Sequence, residues 1–306
     1  MSGEIFYPAR NFGALPPEWS DYETARVVIL PVPYDATVSA RGGTREGPQG
    51  IIDGSQEMEL YDFELGREIA EVGIHTLPDV EPVLSGPEAM LARIRLAAAP
   101  IVAAGKLLVT LGGDHSISLA PVQVYRERHP SLTVLQLDAH TDLRDEYLST
   151  PFGHATVGRR LSELGPLVQV GIRAVSAGEA NFIKATGAAP FTAAAIHRTP
   201  DWIEQVLARL GPEVYVTLDL DVLDPGIMPA VGTPEPGGLS WYQVTDLLRA
   251  VASERNVVGF DVVELAPREG PFAASALAAS LVYKLIGYVT QPATDGGRTP
   301  ADGRSA

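Results

Sequence analysis

The chain has no cysteine among its 306 residues. Disulfides, thiolate metal sites and cysteine nucleophiles are therefore excluded, and the absence fits a reducing, cytoplasmic setting. Basic residues are also scarce: 23 Lys and Arg stand against 38 Asp and Glu, a formal net charge of −15. Such a chain repels phosphate backbones and anionic bilayers. Neither nucleic acid nor a membrane is expected as a partner, and a small cationic substrate suits the charge. No run of about 18 uncharged apolar residues is present to cross a bilayer. The alanine-rich stretch 91–105 is interrupted by Arg93 and Arg95. The opening MSGEIFYPARNFG lacks the basic-then-apolar pattern of a secretion signal.

What is present is an alternation. Short, nearly continuous apolar runs at 25–33, 106–112, 132–138, 167–172, 213–219 and 256–264 read as strands covered on both faces. Segments of helical period lie between them, at 87–105, 116–130, 200–211 and 240–254. The pattern predicts an α/β fold of three layers, α/β/α, with a central, mainly parallel sheet. Ser240 and Gln243 have capping-box spacing, and Gly211-Pro212 suits a helix end. The length suits a single catalytic domain over 1–306, with an N-terminal extension of about 24 residues and a polar tail over 291–306.

Three of the runs end in metal-ligand types. The run 132–138 leads into Asp138-Ala139-His140-Thr141-Asp142, whose alternate residues point to one side. The run 213–219 ends in Asp219-Leu220-Asp221, and 106–112 ends in Gly112-Gly113-Asp114-His115. In parallel α/β sheets such ends gather at one edge, where ligands bind. One strand-end Asp is an ordinary cap and one His an ordinary surface residue, as His75, His129 and His197 read. Three such endings together are a different matter. His115, Asp138, His140, Asp142, Asp219 and Asp221 supply four carboxylates and two imidazoles without sulfur, a set for a hard-to-borderline cation such as Mn²⁺. Six ligands suit two metals about 3.5–4 Å apart that share a carboxylate and a water or hydroxide. Two divalent ions against four Asp and one hydroxide leave a single negative charge, which a cationic substrate would neutralise.

GGDHS (112–116), DAHTD (138–142) and LDLDVLDP (218–225) together resemble the three signature motifs of the ureohydrolase family, which includes arginases and agmatinases. The resemblance spans about residues 25–290. It implies an arginase-like fold, two Mn²⁺ per chain, homo-trimers or homo-hexamers, and hydrolysis of a guanidino group to urea and an amine. By motif, His115, Asp138, Asp142 and Asp219 would hold one Mn²⁺, and Asp138, His140, Asp219 and Asp221 the other. His154 in FGHATVGRR resembles the family's mobile histidine, a general acid or proton shuttle. Glu264 in GFDVVELAP resembles the carboxylate that pairs with the guanidinium. Asp142 would accept the remaining proton of the attacking hydroxyl, and Asp142 or His154 would deliver one to the leaving amine.

The far end of the substrate is less decided. GTPEPGGL (232–239) resembles the agmatinase branch, although Ala230-Val231 replace the usual Gly-Thr before it. Arginases resemble one another in an Asn two residues after DAHTD, where this chain has Arg144, followed by Asp145 and Glu146. Asp145 or Glu146 would meet a terminal ammonium, and Arg144 a carboxylate. The expected reaction is agmatine to putrescine and urea. Guanidinobutyrate, arginine or another guanidino acid is the alternative substrate. A non-catalytic metal-binding relative and a one-zinc, deacetylase-like enzyme are alternatives of other classes.

Overall fold

The computed structural model describes residues 10–291. Ten strands occur in chain order: β1 (Val27–Val32), β2 (Tyr61–Asp62), β3 (Arg67–Glu68), β4 (Ile74–Thr76), β5 (Leu107–Gly112), β6 (Thr133–Leu137), β7 (Leu167–Ile172), β8 (Phe191–Thr192), β9 (Glu213–Asp219) and β10 (Asn256–Val263). β2 and β3 form a small antiparallel pair. The other eight make one sheet in the order β4-β1-β5-β10-β9-β6-β7-β8, and every pairing in it is parallel. The expected three-layer arrangement is present, with helices on both faces. β4 and β8, three and two residues long, are edge strands too short for a period to reveal.

Side chains alternate across each strand, so each strand feeds two cores. Val27 and Ile29, Leu135 and Leu137, Val214, Val216 and Leu218, and Phe260 and Val262 all enter one core. Helices Gly47–Gly54, Trp241–Glu254 and Phe272–Val289 cover it. Val28, Leu30, Leu108, Val134 and Tyr215 enter the other, beneath helices Pro87–Ala103, Leu119–Arg128 and Val157–Leu164. Burying one such side chain contributes about 1.5–3 kcal/mol. On this second face the strands change character towards their C-terminal ends. Val134 is followed by Gln136, Tyr215 by Thr217, and Gly259 by Asp261, all buried.

The Ser240 cap matches the sequence reading, whereas the helix expected to close at Gly211-Pro212 spans Trp202–Leu207 and ends four residues earlier. Ser240 and Gln243 form both capping-box bonds, at 3.3 and 2.9 Å. Among residues 10–24, Phe12 and Leu15 are buried in the first core, so this stretch packs as part of the domain. Residues 292–306, nearly the whole of the expected polar tail, lie outside the described residues. Among the described residues one helix, Phe272–Val289, is long and apolar enough to cross a membrane. It carries Lys284 and packs within the first core, as a central helix of a folded domain does.

Candidate metal centre and active site

β5, β10, β9 and β6 are consecutive neighbours at the middle of the sheet, although their motifs are far apart in sequence. Leu137 pairs with Leu218, and Val263 with Asp219. Asp138, Asp219 and Glu264 therefore arrive together at the C-terminal edge. Two clusters result, one of His115, Asp138 and Asp219 and one of Asp138, His140 and Asp221. His115 Nδ1 lies 3.1 Å from Asp138 Oδ2, 3.4 Å from Asp142 Oδ2 and 3.2 Å from Asp219 Oδ2. His140 Nδ1 lies 2.8 Å from Asp221 Oδ2 and 3.6 Å from Asp138 Oδ1. Asp138 thus turns one oxygen to each imidazole, as a bridging ligand must. Asp219 Oδ2 faces the first cluster, while its Oδ1 accepts the Asp221 N–H at 2.8 Å.

The local chain is shaped to this end. A Cβ on Gly113 would collide with the backbone carbonyl of Tyr34, so only glycine lets β1 and β5 close over the turn before His115. Asp114 is a buried cap that accepts the Ser116 and Thr37 N–H groups, both at 3.0 Å, and belongs to neither cluster. Asp142 and Glu264 adopt positive φ of 51° and 67°, the left-handed region that non-glycine residues seldom enter. Such strain persists where surrounding structure fixes it, and it concentrates at functional sites.

The donor set fits divalent cations. Asp138, Asp142, Asp219 and Asp221 are all buried, and burying four carboxylates without countercharge is costly. His115 Nε2 is engaged with Thr217 Oγ1 at 2.9 Å, while its buried Nδ1, facing three carboxylates, has no hydrogen-bond partner of acceptable geometry. That nitrogen is the one left free to ligate. Burial and the Asp138 charge push Asp142 well above the usual carboxylate range, and burial with Asp221 and Asp138 does the same to Asp219. Burial also pushes the His140 imidazole down, but Asp221 and Asp138 outweigh it and hold it at about 12.

A cavity of about 340 Å³ opens over the clusters, and His154, Glu264 and Arg144 line it. Glu264 Oε1 accepts the His115 N–H at 2.7 Å, which leaves the other oxygen available to the cavity. Burial and then the Asp219 and Asp114 charges push this carboxyl well up. His154 donates from Nδ1 to the Thr37 carbonyl at 2.7 Å, and Nε2 sits 3.3 Å from the Ser39 hydroxyl. Burial draws its imidazole below the ordinary value, which favours the neutral form. Arg144 lies over the Tyr147 ring, 4.6 Å from its centroid. Asp145 and Glu146 do not line the cavity, and Asp145 is drawn to Arg160 at 2.7 Å. His75, His129 and His197 each meet a structural partner: the Ser20 carbonyl, Glu213 and the Gly238 carbonyl.

Sequence reasoning missed the supports. Asp261 accepts hydroxyls from Thr217 at 2.7 Å, Tyr215 at 2.8 Å and Ser118 at 2.9 Å, and through Thr217 it backs His115. Gln136 donates to Asp138 at 2.7 Å. The available signal was a polar residue, Gln136, Thr217 or Asp261, interrupting an otherwise apolar run. Thr37, Ser39 and Glu235 come from loops, where no period marks them.

This combination of sheet and site is that of a ureohydrolase-class enzyme. Residues 25–287 match the arginase family, and the chain belongs to it. It is 47% identical over 267 residues to an N(1)-aminopropylagmatine ureohydrolase of Thermus thermophilus, covering 87% of this chain and 91% of that protein. It is 34% identical over 297 residues to the agmatinase of Halalkalibacterium halodurans, covering 94% and 98%. Among solved structures, agmatine ureohydrolase of Thermoplasma volcanium superposes with a TM-score of 0.84 at 28% identity, covering 92% of this chain and 95% of that one.

Proposed function

We propose that this chain hydrolyses the guanidino group of a cationic, agmatine-type guanidine to urea and an amine, with N(1)-aminopropylagmatine as the preferred substrate. The observation that carries the reading is Glu264. One of its oxygens is fixed by the His115 N–H and the other is left for the cavity, beside both His/Asp clusters. A guanidinium paired to that oxygen is held with its carbon next to the clusters, and such positioning is a large part of catalysis. The preference for the aminopropyl substrate rests on the 47% relative of that name. Agmatine is the second reading, favoured by the agmatinase relative at 34%.

His115, Asp138, Asp142 and Asp219 would hold one cation, and His140, Asp138, Asp219 and Asp221 the other. We take both as Mn²⁺. When bound, a pair of such cations makes water acidic enough to supply hydroxide at neutral pH. Glu264 binds and orients the guanidinium. The water oxygen bonds to the guanidine carbon and the bond from that carbon to the chain nitrogen breaks. Asp142 takes up the proton left on the attacking oxygen. The proton taken up by Asp142 passes to the leaving nitrogen, either directly or by way of Nε2 of the neutral-leaning His154, which accepts it first, and the nitrogen departs as the amine.

Urea release measured with added Mn²⁺ over a panel of guanidines tests this. The expected order is N(1)-aminopropylagmatine, then agmatine, with guanidinobutyrate and arginine far behind. Preference for either guanidino acid would overturn the reading.

A further inference from the structure

Resting on that reading, we infer that Glu235 is the specificity residue for the substrate's chain amine, pairing its carboxylate with the ammonium that follows the four-carbon spacer. Glu235 lines the cavity, and its carboxylate accepts no hydrogen bond from any described residue. The nearest ionisable partner is His140 Nε2 at 4.0 Å, beyond hydrogen-bond range. Asp142 and Asp219 on the cavity wall are proposed cation ligands, and the other two carboxylates there are committed. Glu264 takes the guanidinium. Glu179 is occupied by the Thr141 hydroxyl, the Leu143 N–H and both the N–H and hydroxyl of Ser176.

The loop that carries Glu235 is built to hold still. Arg173 donates to the Glu235 carbonyl from Nε at 3.1 Å and Nη2 at 2.8 Å, and also reaches the Asp221 carbonyl at 2.6 Å. One guanidinium thereby fixes the glutamate's backbone relative to a cluster residue. Asp224 closes the loop by accepting the Gly237 and Gly238 N–H groups at 3.0 and 3.1 Å. Preorganised positioning of this kind reduces the ordering cost of binding.

The reach is right. A Cβ on Gly232 would sit 3.9 Å from Glu264 Oε2, and Glu235 follows three residues later. Three residues span at most about 10 Å, which keeps the Glu235 backbone near the Glu264 end of the cavity. Arg144, the one arginine or lysine among the described residues of the wall, does not contest the position. It lies over Tyr147, with Nε 3.9 Å from Glu179.

The test compares wild-type and Glu235→Gln enzyme on N(1)-aminopropylagmatine, agmatine and butylguanidine, which has no chain amine, with Mn²⁺ per chain determined for both proteins. The amide keeps the shape and removes the charge. The preference for the two amines over butylguanidine is expected to fall about 10- to 100-fold, through KM, at unaltered Mn²⁺ content. An unchanged preference overturns the assignment while the proposed function stands. A loss shared equally by all three substrates, with reduced Mn²⁺, also overturns it and makes Glu235 a support of His140. No urea from any of the three with wild-type enzyme defeats the proposed function itself, and the assignment with it.

Discussion

The two faces of the central sheet use the same strands in opposite ways. On the face covered by Phe272–Val289 the strands stay apolar to their ends, as Leu135 and Leu137, Val216 and Leu218, and Phe260 and Val262 show. On the face beneath Leu119–Arg128 they turn polar and then acidic, from Val134 through Gln136 to Asp138 and from Tyr215 through Thr217 to Asp219. One face holds the sheet together by burial. The other gives over part of its buried area to a hydrogen-bonded floor, Gln136, Thr217 and Asp261, beneath the His/Asp clusters. Alternation along a strand lets a single β segment serve both purposes.

Substitutions on the two faces should separate stability from cation binding. The largest effect is expected for Asp138→Asn, which removes the carboxylate shared by both clusters. Urea release should fall by about 1000-fold or more, with Mn²⁺ binding lost. Circular dichroism should report an intact fold, since the change leaves both cores untouched. A smaller and divided effect is expected from adjacent residues of β9. Leu218→Ala should lower unfolding stability by about 2–5 kcal/mol with little change in Mn²⁺ affinity of the folded protein. Thr217→Val removes the hydroxyl between His115 and Asp261, and should weaken Mn²⁺ about 10- to 100-fold. Denaturant melts and Mn²⁺ titrations of both variants would check the division. Equal effects on both readouts would abolish the distinction between the faces.

The same contrast explains what could be read from sequence. The six candidate ligands were legible because each motif caps an apolar run, and a parallel sheet collects such ends at one edge. β7 and β9 coincide with the expected runs, and β1, β5, β6 and β10 fall within two residues of theirs. The edge strands β4 and β8 were not legible, being too short to show a period. Thr217 and Asp261 were visible only as interruptions, because their meaning lies in contacts across strands. Asp145 illustrates the limit of reasoning from neighbours along the chain. It follows the DAHTD motif closely, yet Arg160 holds it outside the cavity wall, while Glu235 reaches that wall from a loop far away in sequence.

The central claim is that one face of the sheet presents two cation sites joined by Asp138. Calorimetric titration of the cation-free protein with Mn²⁺, in buffers of different ionisation enthalpy, addresses it directly. Asp221 and Asp138 hold the His140 imidazole at about 12 against the effect of burial, so near neutral pH it carries a proton that ligation must expel. The account predicts two Mn²⁺ per chain, proton release on binding, and affinity that rises with pH and falls as the solution is acidified. One cation per chain, or binding that neither releases protons nor responds to pH, would contradict it.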